Sequence, residues 1–99
     1  MRPLPVELHP DAETELGEAV THYERERRGV GLRFAAAVAS AFDRLASAPE
    51  LGPWLTRRVR RLQVPGFPYG IVYVPEGERV FVLATAHGRR RPRYWRARG

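Results

Sequence analysis

One imidazole, two large aromatics and five arginines fall within ten residues near the end of the chain, His87-Gly88-Arg89-Arg90-Arg91-Pro92-Arg93-Tyr94-Trp95-Arg96. Guanidinium groups at that density hold anions, and they do so bidentately when the anion is a carboxylate or a phosphate. An imidazole whose ordinary pKa is about 6.5 can take or give a proton at neutral pH. Tyr94 and Trp95 add a hydroxyl, an indole N–H and two stacking faces. A second run, Arg57, Arg58, Arg60 and Arg61, adds charge earlier in the chain. If that run is a strand, alternation sends one pair of its arginines to each side, so half of it must face away from any single site.

The charge is segregated. Residues 1 to 56 carry six arginines against nine acids, a net of −3, whereas residues 57 to 99 carry eleven arginines against Glu76 and Glu78, a net of +9. An asymmetry of this kind points to an anionic partner: nucleic acid, an acidic protein or an anionic surface. All basic side chains other than histidine are arginine, and a codon bias would account for that choice. It would not account for the separation by sign.

Length and composition narrow the class. Ninety-nine residues suffice for one core, so a single domain over residues 1–99 is expected. The chain has no cysteine, which removes disulfides and thiolate zinc sites, and no metal or other cofactor is expected. No apolar run approaches the roughly 20 residues of a membrane span, and Met1-Arg2-Pro3-Leu4-Pro5 lacks the apolar centre of a signal peptide. A cytoplasmic protein without a membrane partner is the expectation.

These side chains need elements to position them. Val6-Glu7-Leu8 alternates as a short first strand. Pro10 suits the first turn of a helix, and Asp11, Glu13 and Glu15 favour the positive end of its dipole. Ala12, Leu16, Ala19, Val20 and Tyr23 share one stripe, which predicts an amphipathic helix to about residue 27, broken by Gly29 and Gly31. Phe34, Val38, Ala41, Phe42 and Leu45 predict a second helix over 32–46, and the two helices make a hairpin. Pro49-Glu50-Leu51-Gly52-Pro53 ends helical character. Strands are predicted over 58–64, 69–74 and 79–86, joined by turns at Pro65-Gly66 and Pro75-Glu76-Gly77-Glu78. The last two are nearly continuous in apolar residues, so the sheet must be covered on much of both faces. The fold class expected is α+β, a helical hairpin packed on a small, mainly antiparallel sheet in the order β-α-α-β-β-β.

Phe67-Pro68-Tyr69-Gly70-Ile71-Val72-Tyr73, a Glu-Gly turn, and Val80-Phe81-Val82-Leu83-Ala84-Thr85-Ala86-His87-Gly88-Arg89-Arg90 together resemble the RelE/ParE superfamily of toxins from type II toxin-antitoxin systems. The resemblance extends back to His9-Pro10-Asp11-Ala12, so it covers nearly the whole chain. It implies a compact toxin neutralised by a cognate antitoxin, serving plasmid or chromosome maintenance or the control of growth under stress.

The superfamily divides on mechanism. The RelE-like branch implies a ribosome-dependent, metal-independent mRNA endoribonuclease. There Arg58, Arg60, Arg89 and Arg90 would hold the scissile phosphate, and His87 or Tyr94 would move the protons, making His87, Arg89 and Tyr94 the catalytic candidates. The ParE-like branch implies poisoning of DNA gyrase, with Arg58, Arg60, Arg61, Arg89, Arg90, Arg91 and Arg93 as the target-binding or nucleic-acid-binding set. The ending Ala86-His87-Gly88-Arg89-Arg90-Arg91-Pro92 resembles the ParE-like branch more closely. RelE-like sites also carry lysines, and arginine holds its proton too firmly to replace a lysine that must exchange one. A reading of another class is a non-toxic basic module that binds nucleic acid.

Simpler roles compete at each position. His87 could hydrogen-bond the backbone of the turn that follows it. Tyr94 and Trp95 could pack the tail back onto the sheet. Tyr69 and Tyr73 share a face of one strand, as core residues would. Trp54 reads as a lid on the core edge, and His9 and His22 as incidental.

Overall fold

The computed structural model describes residues 2–99. Its first strand, β1 (Val6–Leu8), leads directly into α1 (Pro10–Glu26). Pro10 sits at the start of that helix, and the His9 side chain caps it, Nδ1 accepting from the Asp11 N–H at 3.0 Å. His9 is therefore a helix cap rather than the incidental residue expected. After Glu26 the chain turns within three residues into α2 (Val30–Ser47). Gly29 takes φ +89°, a left-handed conformation that glycine adopts without steric penalty. The Glu24 carboxylate accepts from the N–H groups of Gly29 (2.9 Å) and Gly31 (3.0 Å), which caps the first turn of α2 from the preceding helix. This explains why α2 begins before the predicted residue 32 and includes Gly31.

Three further strands, β2 (Arg60–Gln63), β3 (Tyr69–Pro75) and β4 (Val80–His87), complete a four-stranded mixed sheet of order β1-β4-β3-β2. β1 runs parallel to β4, with Val6 opposite Val80 and Leu8 opposite Val82. The other pairs are antiparallel, as the meander predicted. β2 is shorter than its predicted span of 58–64. The N–H groups of Leu55 and Thr56 both donate to the Val59 carbonyl in a tight turn, which leaves Arg58 in a loop rather than on the strand.

The pairing of β3 with β4 contains a β-bulge: Val72 faces Ala84, but Tyr73 faces Val82, so Leu83 is the extra residue. A bulge reverses the alternation beyond it. Leu83 and Ala84 consequently share one face, and His87 pairs with Tyr69 on the helix side.

Each face of the sheet has its own core. On one, Phe34, Val38 and Leu45 of α2 meet Leu62, Val64, Ile71, Tyr73, Val80 and Val82. On the other, Val59, Val72, Val74, Leu83, Ala84 and Ala86 are covered by Trp95, with Tyr94 and Phe81 beside it. The C-terminal tail thus acts as the second layer. Tyr73 pins the linker between α2 and β2: its hydroxyl donates to the Pro49 carbonyl (2.7 Å) and accepts from the Gly52 N–H (2.9 Å).

Candidate functional site

Packing Trp95 onto β3 and β4 leaves a groove of about 390 Å³ between the sheet and the tail. Val72, Ala86 and Trp95 form its apolar floor, and Arg61, His87, Arg90, Arg91 and Arg93 line it. Arg61 is fixed by neutral groups. Its Nη1 donates to the Gln63 side-chain oxygen at 2.8 Å, and its guanidinium lies over Gly70 so closely that a Cβ at that position would occupy the same space. Arg93 has φ +61°, a left-handed conformation that is uncommon for a residue with a side chain.

The tail is anchored at the edge of β4, beyond the point where β1 ends. Arg98 donates from Nη1 to the Glu15 carboxylate (2.9 Å) and to the Leu83 carbonyl (3.1 Å), and its Nε lies 3.6 Å from Asp11. Glu15 also accepts from the Thr85 N–H at 3.1 Å. Between them Glu15 and Arg98 satisfy backbone groups that a longer β1 would have paired. Burial is the largest influence and works against the Arg98 charge, but the hydrogen bond to Glu15 together with the nearby charges of Glu15 and Asp11 and the Tyr94 hydroxyl outweigh it, and the pKa is raised.

Tyr94 packs inside this anchor. The guanidinium carbons of Arg90 and Arg98 stand 3.8 and 5.0 Å from its ring centre, within cation–π range. Its hydroxyl is buried beside the Glu15 carboxylate but makes no hydrogen bond of good geometry to it. Burial first, then the neighbouring Glu15 carboxylate, push its ionisation up to about 12. A phenol in that setting keeps its proton at neutral pH.

His87 packs edge-on against Tyr69, with ring centres 5.1 Å apart, and its Nδ1 accepts from the Arg89 N–H at 3.0 Å. That bond places the proton of the neutral ring on Nε2, so the free nitrogen is a donor. The imidazole in this state can hold an anion but offers no lone pair to a substrate hydroxyl.

The structure brings Arg61, Arg90, Arg91 and Arg93 together around the groove, with His87 at its end. Arg89 is exposed in the turn after β4. Arg58 lines a smaller adjoining cavity of about 170 Å³ with Arg93 and Arg96. Arg60 lies elsewhere: it donates to the carbonyls of Glu50 (2.8 Å) and Gly52 (2.7 Å) and stacks 3.7 Å over Trp54. Trp54, 57% exposed, covers Arg60 rather than the core. Glu15, Gln63 and Gly70 escaped the sequence reading as site residues. Glu15 had a signal: three residues after Ala12 and four before Ala19, both buried, it is a carboxylate on the core-facing stripe of a helix. Among the described residues no group of three or more His, Cys, Asp or Glu side chains could share a metal ion, and no helix is long and apolar enough to cross a membrane.

Among solved structures, the chain is similar to one described as a chromosomal ParDE toxin-antitoxin system from P. aeruginosa, with a TM-score of 0.74 at 16% identity over 85% of this chain and 95% of that one. At that identity the likeness shows a shared fold. No curated protein matches the sequence. The family model described as the ParE toxin of the type II toxin-antitoxin system parDE matches residues 6–92, from the first residue of β1 to the proline inside the arginine tail. The chain therefore belongs to the ParE toxin family of type II toxin-antitoxin systems.

Proposed function

We propose that this protein inhibits growth by binding DNA gyrase and holding it on cleaved DNA, and that a cognate antitoxin neutralises it. Family membership supplies the toxin class. The observation that carries the binding mechanism is the state of the two proton handlers. Tyr94 is buried with its ionisation at about 12, and His87 spends its Nδ1 lone pair on the Arg89 N–H. The groove keeps its cations and withholds its bases, which suits grip rather than bond cleavage. A cleaved-DNA complex offers such a groove a polyanion.

The antitoxin reading draws on the same charge. Arginines that line a groove without Asp or Glu side chains attract an acidic segment, and covering the groove would block the target. A complex that left residues 87 to 94 as mobile and exposed as in the free toxin would remove support for this arrangement.

Induced expression in a bacterial host, with DNA-damage signalling and bulk message followed in the first minutes, tests the mechanism. Early damage signalling with intact message is the expected result. Immediate message cleavage with quiet DNA repair would replace the gyrase reading with a nuclease, and His87 and Arg89 would then be its first catalytic candidates.

A further inference from the structure

We infer that the arginine groove is a track for the phosphodiester backbone of DNA, so that the toxin grips the nucleic acid of its target complex directly as well as the protein. The identity of the polyanion rests on the gyrase reading above; the track itself rests on four features of the molecule.

The two cavities on this side of the protein adjoin each other. They share Arg93 and Trp95, and together they run from Arg61 and Arg91 past Arg93 to Arg58. No Asp or Glu side chain lines either cavity. Charge balance elsewhere makes that pattern informative: Arg79 is paired with Glu7 and Glu76, and Arg98 with Glu15 and Asp11. Arg90, at the end of the groove nearest the anchor, lies 3.8 Å from the Glu15 carboxylate, whereas among the described residues Arg58, Arg61, Arg91 and Arg93 have no carboxylate within ion-pair distance. Most of the track is therefore left unneutralised.

Arg61 is preorganised for an incoming anion. Gln63 and the bare backbone at Gly70 hold its guanidinium in place without cancelling its charge. A cation fixed by neutral groups binds an anion with less ordering cost than a free surface side chain would.

Arg93 sits at the junction of the two cavities in a left-handed conformation that glycine would adopt more easily. Such strain at an exposed residue points to a use for the side chain there. A trough with a cation at each stage suits a polymer whose charges repeat along its length, and guanidinium matches phosphate geometry. The track reads no base edge, so the affinity it confers depends on salt rather than on sequence.

The test is fluorescence anisotropy of a short labelled DNA duplex of mixed sequence with the whole purified protein, repeated with a polyglutamate peptide and over a salt series. Arg61→Gln and Arg93→Gly are each expected to weaken duplex binding about fivefold at physiological salt and to reduce the salt slope by about 0.9. Arg28→Gln, in the turn between the helices, removes the same charge and is expected to leave binding unchanged. Arg93→Gly is also expected to melt no lower than the parent, so its loss would not reflect unfolding. Binding of the peptide but not the duplex, or duplex binding that neither variant alters, would overturn the inference.

A gyrase cleavage assay on the same proteins separates the two readings. If the parent traps cleaved DNA and both variants trap it equally well, the track fails while the gyrase reading stands. If the parent traps none, yet duplex binding falls in both variants, the gyrase reading fails while the track stands.

Discussion

Arg98 and Arg61 are the same side chain put to opposite uses on neighbouring parts of one surface. Arg98 is mostly buried, 15% exposed, and is tied to Glu15, Asp11 and the Leu83 carbonyl, so that its charge is spent on closing the edge of β4. Arg61 is held by a neutral amide above a glycine, and its charge stays available to the groove. The difference shows that arginine density alone does not define a site. The carboxylates that the fold brings to each guanidinium decide whether it is mortar or contact. Arg60, one residue away from Arg61 within β2, is occupied without any carboxylate, by the Glu50 and Gly52 carbonyls and the face of Trp54.

The contrast fails if the anchor can be cut without cost. Glu15→Ala strands the Arg98 guanidinium and the Thr85 N–H together. Breaking a buried pair typically costs about 3–5 kcal/mol, and the partial exposure of both partners reduces the expected loss here to about 2–3 kcal/mol. For a domain of this size that corresponds to a fall in melting temperature of about 10–20 °C. A double-mutant cycle with Arg98→Ala is expected to show strong coupling, and independent, additive effects would dissolve the anchor.

A smaller effect is expected at Arg60, whose removal leaves two carbonyls and the Trp54 face uncovered. Arg60→Gln is expected to cost about 1–2 kcal/mol in chemical denaturation and to have little effect on toxicity. A stable variant that loses toxicity would move Arg60 into the contact class.

Tyr94 sharpens the boundary between the two regions through pH. Its folded ionisation lies at about 12, above the ordinary value of 10 that the unfolded chain would show. The folded state therefore holds the proton more tightly. The stabilisation this brings is fully present below pH 10 and is lost as pH rises toward about 12. Tyr94→Phe is expected to flatten that part of the stability curve, and to leave stability at pH 7 within about 1 kcal/mol because the hydroxyl has no hydrogen bond of good geometry to lose. Toxicity is expected to survive the change; its loss in a protein of unchanged stability would restore Tyr94 as a proton handler.

The smallest expected change in stability belongs to Arg91→Gln. An exposed arginine without a carboxylate partner contributes little to folding, so the shift should stay within about 0.5 kcal/mol while toxicity falls. If stability and toxicity moved together here as at Glu15, the division between anchoring and contacting arginines would collapse.

Patterns of short range were legible in the sequence. The apolar stripes of Ala12, Ala19, Phe34, Val38 and Leu45, the alternation of Val6 to Leu8, and the glycine and proline turns identify two helices and four strands in their order, because periodicities of 3.6 and 2 follow from local backbone geometry. The segregation of charge was equally legible, and it falls on the part of the chain that lines the groove. Tertiary structure alone decided the rest. It set Leu83 in a bulge that turns His87 toward Tyr69, an event that depends on the register of two strands. It carried Glu15 from the first helix to Arg98 at the far end of the chain, whereas spacing along that helix marked a carboxylate on the core-facing stripe but not its partner. Charge is a property of composition, but whether a charge is spent or available depends on what lies within a few ångströms of it, and those neighbours are mostly distant in sequence.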